Sequence, residues 1–289
     1  MSPYIVILVT GTAGKTGRAV VEALARCGAA VAAFVHREAL VAPLKVFGVQ
    51  RVHVGRLDDP SALVAAMDGV AAIYHLAPNV SPDEFRFGST VAAAARQAGV
   101  ARLVFHSVLL PRIEAMPHHW EKARVEDMLA ASGLQVTVLQ PTAYMQNLQP
   151  AWPAIVKQGV YRVPYSVEAR ISLVDLDDVA AAAAKVLTDP GHEGATYELV
   201  GTKPLSQIEV AETLSRALGR PVRAESEPVA AWEARARATG MGDYQRDTLA
   251  KMFRYYDRHG LSGDPAMLRR LLGREPTTLG EFSRRIVRA

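Results

Sequence analysis

A glycine-rich turn near the start of the chain constrains its fold more than any other feature of the sequence. Gly11, Gly14 and Gly17 follow the apolar run Ile5–Val9 and open a segment, Thr16–Cys27, whose apolar residues recur at helical spacing. The run has the length and β-branched content of a strand buried on both faces. In such a strand-turn-helix, the first glycine permits the bend, the second lets the backbone approach a pyrophosphate, and the third lets the helix pack on the strand. The sequence therefore predicts a dinucleotide site formed by Gly11, Thr12, Ala13, Gly14, Lys15, Thr16 and Gly17.

The Gly14-Lys15-Thr16 segment also resembles the end of the phosphate loop of nucleoside-triphosphate enzymes. That loop needs a further glycine five positions before its Gly-Lys pair, where the chain wraps the phosphate. Val9 stands there and belongs to the predicted strand. The nucleoside-triphosphatase interpretation is thereby disfavoured, and Lys15 is either a cation that faces a phosphate or a solvated side chain.

Beyond the first helix, strand patterns alternate with helix patterns up to Pro141. The predicted strands are Ala30–Val35, Val52–Val54, Ala71–Leu76, Arg102–Ser107 and Gln135–Gln140, and the predicted helices include one that starts at Asp59-Pro60, Thr90–Gln97 and His118–Ala131. Alternation of this kind predicts an α/β fold with a doubly wound parallel sheet of the Rossmann type. Ligands of such sheets bind beyond the carboxyl ends of the strands. This edge holds Gly11, His36, Ser107 and Gln140, together with Leu76, Ala77, Pro78 and Pro141, which we expect to contact the dinucleotide.

The later part of the chain differs in pattern, and we predict a smaller, mostly helical lobe on the substrate side. The predicted division assigns residues 1–145 and 166–203 to the dinucleotide-binding domain and residues 146–165 and 204–289 to the lobe. Residues 147–165 read as an irregular, proline- and aromatic-rich stretch, either a pocket wall or a loop packed on its own side chains. Ser206 with Glu209, and Thr278 with Glu281, predict capping boxes at two helix starts.

Composition narrows the class of protein. With 289 residues and 49% apolar content, the chain can bury a full core without disulfides or metal. Its lone cysteine, Cys27, is predicted to be a core residue of the first helix in a reduced, cytoplasmic protein. The segment Met1–Thr10 reads as a strand and not as a signal peptide or membrane span. The net charge of +4 could indicate nucleic-acid binding, but arginines collect near predicted helix ends, where we expect them to complement the helix dipole and stay solvated. Direct nucleic-acid binding is therefore disfavoured. These arginines are Arg269, Arg270, Arg274, Arg284, Arg285 and Arg288.

The end of the second predicted strand bears on which dinucleotide binds. About twenty residues beyond the glycine turn, an NAD site places an acid on the ribose 2'-hydroxyl, whereas an NADP site places arginine on the 2'-phosphate. The sequence there is His36-Arg37-Glu38. Arg37 at this position, with His36 beside it, favours NADP(H). If Glu38 occupied the position that faces the ribose 2'-group, the assignment would change to NAD.

Seven segments together resemble the NmrA-like group of atypical short-chain dehydrogenases/reductases: GTAGKTGRAV, FVHRE, GRLDDPSAL, HSVLLP, HHWEKARVEDMLAASGL, LQPTAYMQN and LLGREPTTLGEF. The resemblance spans nearly the whole chain and implies a Rossmann-type domain, an NADP(H) preference and a C-terminal lobe that forms the substrate cleft. Members of the group resemble either reductases of quinones, dyes or phenylpropanoids, or dinucleotide sensors without turnover. Where the group usually has aspartate on the adenine amine, this chain has Arg56, which either stacks on adenine or approaches the 2'-phosphate, while Leu57 lines the adenine.

The segment His118-His119-Trp120-Glu121-Lys122 departs from the Tyr-x-x-x-Lys pattern of ordinary short-chain dehydrogenases. Lys122 matches the lysine that holds the nicotinamide ribose, and His118 stands where tyrosine would be. Imidazole can act as a general acid near neutral pH, so His118 is either a proton donor or a surface or ribose-contacting residue. Ser107 resembles the group's serine near the nicotinamide and is otherwise a strand-end cap. Adjacent histidines point in different directions around a helix, so a metal site is disfavoured for lack of a third ligand.

Two functions follow from these patterns. The first is an NADPH-dependent reductase that transfers hydride to a small conjugated carbonyl or quinone-like substrate, with Lys122 on the ribose and water or His118 as the proton source. The second is an NADP(H) sensor that reports to a protein partner without turnover. Nothing in the sequence sets the oligomeric state.

Overall fold

The computed structural model describes residues 5–288. Residues 1–4, which belong to the segment Met1–Thr10 discussed above, and residue 289 lie outside the described part. The chain folds into two compact bodies. The first contains the chain up to Arg112 together with His119–Gln140 and Val179–Tyr197, and the second contains Ile113–His118, Pro141–Asp178 and the chain from Glu198 onward. The domain division predicted from the sequence, which places residues 166–178 with the first body, stays a prediction.

The strands and helices alternate along the first half of the chain. The strands are β1 Val6–Thr10, β2 Ala30–Val35, β3 Arg51–Val54, β4 Ala72–His75, β5 Arg102–His106, β6 Gln135–Pro141, β7 Ala143–Tyr144, β8 Val160–Val163, β9 Leu173–Val174, β10 Thr196–Leu199 and β11 Arg223–Ser226. The α-helices are α1 Lys15–Arg26, α2 Val41–Val46, α3 Pro60–Ala66, α4 Glu84–Gln97, α5 Pro117–Ala130, α6 Trp152–Gln158, α7 Leu176–Thr188, α8 Gln207–Leu218, α9 Val229–Ala238, α10 Asp243–His259, α11 Ala266–Leu272 and α12 Leu279–Arg288. Two 3₁₀ segments cover Glu38–Leu40 and Met145–Ala151.

A seven-stranded sheet organises these elements in the order β10-β6-β5-β4-β1-β2-β3. The strands β1 to β6 pair in parallel. Their order is that of the doubly wound dinucleotide-binding fold: successive strands are added on one side of β1 up to β3, and from β4 onward on the other side. The α/β fold of the Rossmann type predicted from the alternation is therefore confirmed, as is the helical character of the C-terminal part.

The central strands carry the core of the first body. Leu8, Ile73, Leu103 and Phe105 are almost completely buried and share a cluster with side chains of α3, α4 and α5. Strands covered on both faces need continuous apolar residues, which explains the unbroken apolar runs in the sequence. No helix among residues 5–288 combines the length and apolar character that crossing a bilayer demands.

Three predictions about elements of the fold are wrong. Cys27 is exposed, because α1 ends at Arg26 and Cys27 only caps it. Helix α4 begins at Glu84 and not at Thr90, because its interior Gly88 serves close helix packing instead of breaking the helix. Residues 147–165 are not irregular: they contain α6 and β8, and Pro153 is accommodated in the first turn of α6, where no backbone donor is needed.

In the second body, buried carboxylates anchor the C-terminal segment to the start of α7. Asp178, with a side chain 0% exposed, accepts hydrogen bonds from Arg274 Nη2 and the Thr277 backbone N–H, both at 2.6 Å. Asp175, equally buried, accepts one from Arg285 Nη2 at 2.7 Å. Two of the arginines expected to be solvated therefore pair with buried acids.

The predicted capping boxes at Ser206 and Thr278 are confirmed.

Candidate functional site

The glycine turn joins β1 to α1 through backbone contacts that admit no side chain at two positions. Gly11 has φ +68°, and a Cβ there would lie 2.8 Å from the carbonyl oxygen of Leu76. A Cβ on Gly17 would lie 2.3 Å from the carbonyl oxygen of Gly11. The bend and the close packing of helix on strand both require glycine, as the sequence predicted.

The amino-terminal end of α1 is suited to an anion. Gly14 is its N-cap and provides no side-chain acceptor, so no side chain caps the first-turn N–H groups of the helix. Thr12 Oγ1 is buried in the turn without a hydrogen-bond partner among the described residues. Thr10 Oγ1 accepts from Leu76 N–H at 2.9 Å and donates to Leu76 O at 3.0 Å, which ties β1 to the residue after β4. Together the uncapped N–H groups and the bare turn fit a dinucleotide pyrophosphate.

The other residues predicted to contact a dinucleotide lie where the strands end. His36 and Arg37 follow β2, Arg56 and Leu57 follow β3 after one intervening residue, and Leu76, Ala77 and Pro78 follow β4. Pro141 is the last residue of β6 and belongs to the second body. Of the residues within the first body, all lie at the carboxyl edge of the parallel strands, as the sequence predicted.

The two candidate partners of a 2'-phosphate differ in their surroundings. Arg37 is exposed, and its guanidinium makes no hydrogen bond or ion pair with the described residues. Arg56 instead donates from Nε and Nη2 to the two carboxylate oxygens of Asp58, both at 2.9 Å, and Arg86 Nη1 adds a third bond at 2.6 Å. These two guanidinium groups hold the pKa of Asp58 well below its usual range. The charge of Arg56 is therefore partly neutralised within the protein, whereas that of Arg37 is not.

Lys122 is held on α5 beside the end of β5. Its Nζ donates to Glu84 Oε1 at 2.8 Å and to the carbonyl oxygen of His106 at 3.0 Å. The Nζ also lies 5.2 Å from the centre of the Phe105 ring. The ammonium is thus bonded to His106, the last residue of β5, which directly precedes Ser107.

Ser107 belongs to a second polar network one helical turn further along α5. Its hydroxyl donates to Glu126 Oε1, and the same carboxylate accepts from Gln140 Nε2 at 2.9 Å and 3.1 Å. This network links the residue after β5, helix α5 and strand β6. Neither Glu84 nor Glu126 was singled out from the sequence. The cluster Ser81-Pro82-Asp83-Glu84 is a helix-start signal that could have located Glu84, whereas no local pattern identifies Glu126.

Several histidines lie near this edge of the sheet, and their environments differ. Burial, and secondarily the charge of Lys122, lowers the pKa of His75 and of His106 to about 3. His75 Nδ1 shares a hydrogen bond with Thr10 Oγ1 at 3.1 Å, and His106 Nδ1 shares one with the Tyr74 hydroxyl. Burial lowers the pKa of His119 to about 4. His118 is only partly buried and lies in the second body, at the start of α5.

Comparison with known proteins gives a consistent assignment. The sequence profile of the NmrA-like family matches residues 4–283. The NAD(P)H azoreductase of Xenophilus azovorans is 32% identical over 286 residues, which cover 96% of each chain. Quinone oxidoreductase 2 of Escherichia coli strain K12 is 29% identical over 277 residues, which cover 95% of this chain and 96% of that one.

Solved structures agree with the sequence matches. The NADPH-dependent quinone oxidoreductase of Escherichia coli in complex with NADPH has a TM-score of 0.85 and 28% identity, with 97% of this chain and 99% of that chain covered. The resemblance inferred from the sequence motifs is confirmed: the chain belongs to the NmrA-like family.

Proposed function

We propose that the protein is an NADPH-dependent reductase of a small quinone-like or other conjugated acceptor. One relative is an NAD(P)H azoreductase and another a quinone oxidoreductase, and each is matched over nearly its whole length. The observation that carries the proposal is the Lys122 ammonium, fixed at the end of β5 on the same edge as the glycine turn. A cation there suits the nicotinamide ribose, as the resemblance to short-chain dehydrogenases implies.

The residues at this edge fit the successive parts of NADPH. The uncapped start of α1, with Gly11, Gly14 and Gly17, suits the pyrophosphate. Arg37 suits the 2'-phosphate because no acid among the described residues pairs with its guanidinium. When NADPH is bound, its nicotinamide supplies the hydride. The protein binds and orients the dinucleotide, and Lys122 holds its ribose. Lys122 is bonded to His106 at the end of β5. Ser107 is the next residue, and Glu126 fixes its hydroxyl.

The proton for the reduced acceptor comes from water or from His118. His75 and His106 are unsuited to this role because burial keeps both imidazoles neutral at physiological pH. His119 is buried and shares a hydrogen bond with the Leu110 carbonyl at 3.1 Å.

The cytoplasmic location predicted from the sequence stays a prediction.

Oxidation of NADPH in the presence of a panel of quinones and azo dyes tests the proposal. We expect turnover by the wild-type protein and a loss of at least about tenfold in Lys122→Ala, since a charge-assisted hydrogen bond contributes about 1.5–3 kcal/mol. Lys185→Ala is the matched control, because Lys185 forms an exposed ion pair with Asp189. Tight NADPH binding without turnover of any acceptor would instead identify a sensor.

The choice of dinucleotide has its own test. Calorimetric titration should show tighter binding of NADPH than of NADH, and Arg37→Ala should remove most of that difference. Arg56→Ala, the matched control, should change it less because Asp58 already engages Arg56. Equal affinity of the wild-type protein for NADPH and NADH contradicts the assignment of Arg37.

A further inference from the structure

The ion pair between Lys122 and Glu84 is unusual in its burial. The Lys122 side chain is 15% exposed and the Glu84 side chain 5%. Among the ion pairs between described residues, it alone has both side chains less than one-fifth exposed. Burying two charges costs desolvation free energy that their attraction does not reliably return. A buried pair beside a ligand site therefore suggests a role other than stability.

The fold brings the pair together by a close approach of two helices. Glu84 is the first residue of α4, where the helix dipole favours a carboxylate. One turn further on, Gly88 lies against α5 so tightly that a Cβ there would be 2.8 Å from Val125 Cγ1. Val125 lies one turn beyond Lys122 on α5. The absence of a side chain at Gly88 thus sets the spacing at which the carboxylate reaches the ammonium.

The hydrogen bonds of the ammonium leave it one donor for a ligand. A lysine ammonium has three N–H groups. Glu84 Oε1 accepts one and the His106 carbonyl accepts another, and no acceptor among the described residues takes the third. The two fixed acceptors restrict the rotations of the long Lys122 side chain before any ligand binds. Ligand binding therefore costs less side-chain conformational entropy.

From these contacts we infer that Glu84 is a positioning residue that holds Lys122 ready for the nicotinamide-side ribose of the dinucleotide. The inference rests on the proposed function, because it takes that ribose to be the ligand of Lys122. Glu84 acts through Lys122 and touches neither the dinucleotide nor the acceptor. Its effect should be confined to the nicotinamide half of the ligand.

Calorimetric binding of two ligands tests this assignment. NADPH contains both halves of the dinucleotide, whereas adenosine 2',5'-bisphosphate carries only the adenine half, with its 2'-phosphate and its 5'-phosphate. In Glu84→Gln, which keeps the shape of the side chain and removes its charge, we expect the Kd for NADPH to rise about tenfold and that for the bisphosphate to change less than about twofold. Asp189→Asn, in the exposed pair with Lys185, should leave both constants unchanged.

Two further variants separate positioning from a general effect on folding. Glu84→Asp keeps the charge but shortens the side chain, so it should fold and show a smaller rise in the Kd for NADPH. In a protein that already carries Lys122→Gln, Glu84→Gln should raise the Kd for NADPH by less than a further factor of about two, because the residue through which Glu84 acts is already replaced. Thermal unfolding of each variant establishes that the protein measured is folded.

The outcomes distinguish this inference from the proposed function. Equal weakening of NADPH and bisphosphate binding, no change in either, or full additivity with Lys122→Gln overturns the positioning role while leaving wild-type turnover intact. A wild-type protein that binds NADPH but reduces no acceptor contradicts the proposed function, and the Glu84 binding comparison still stands. A wild-type protein that binds neither ligand overturns both.

Discussion

The substitution Gly17→Ala tests the structural basis of the glycine turn. The added methyl group would lie 2.3 Å from the carbonyl oxygen of Gly11 and 2.7 Å from Thr12 Cα. Both neighbours are backbone atoms of the turn itself, so no side-chain rotation can relieve the contact. The helix and the turn must separate instead, by about 1 Å to reach an ordinary van der Waals distance.

The magnitude follows from two opposing effects. Forcing an extra methyl group into a packed site costs about 1–3 kcal/mol. Replacing glycine by alanine within a helix returns about 1 kcal/mol. We therefore expect the free energy of unfolding to fall by up to about 2 kcal/mol. NADPH affinity should fall at least about tenfold, because the N–H groups that face the pyrophosphate are displaced.

Urea unfolding, extrapolated to zero denaturant, and calorimetric titration with NADPH measure the two effects. Gly280→Ala is the matched control, since Gly280 lies in the first turn of α12 and its nearest neighbour to an added Cβ is Arg284 Nη1 at 3.6 Å. The same chemical change should there leave stability unchanged or raise it by about 0.5 kcal/mol. A Gly17→Ala protein as stable as the wild type, with unchanged NADPH affinity, would refute the reasoning.

Two further predictions concern stability. Arg274→Ala should lower the free energy of unfolding by about 2 kcal/mol, because it removes a charge-assisted hydrogen bond from the fully buried Asp178. In the same urea unfolding experiment, Lys251→Ala, which breaks an exposed pair with Asp247, should cost less than about 0.5 kcal/mol. Equal costs of the two substitutions would contradict the role of burial. The lowered pKa values of His75 and His106, about 3 in the folded protein, mean that the unfolded chain binds more protons between pH 6.5 and 3. The free energy of unfolding should therefore fall as the pH drops below 6.5, by up to about 1.4 kcal/mol per pH unit for each histidine, and unfolding curves of equal midpoint at pH 7 and pH 5 would count against this.

Local sequence patterns predicted the parts of this fold that depend on near neighbours. The glycine turn, the alternating strands and helices, and the capping box at Ser206 are each formed by residues a few positions apart, so their patterns are visible in the sequence. Predictions failed where local and tertiary preferences conflict. Glycine is unfavourable inside helices, yet Gly88 lies within α4, where the approach of α5 leaves no room for a side chain.

Pairing between distant residues depended on the tertiary structure. Lys122 could be located from its motif, but its partner Glu84 lies 38 residues earlier, and only the packing of α4 against α5 brings them together. Arg274 reads as a solvated helix-end arginine, yet it pairs with Asp178, 96 residues away. Likewise, the sequence indicated both Arg37 and Arg56 as partners of a 2'-phosphate. Only the structure distinguishes Arg56, which Asp58 already engages, from Arg37, which forms no ion pair with another residue in the described part of the chain.

The sequence by itself determined that the chain folds around a dinucleotide turn, because strand, turn and helix are specified by adjacent residues. The tertiary structure decided which charges at that site are available and which are held, because that depends on long-range contacts no local pattern encodes. The positioning of Lys122 by Glu84 belongs to this second class.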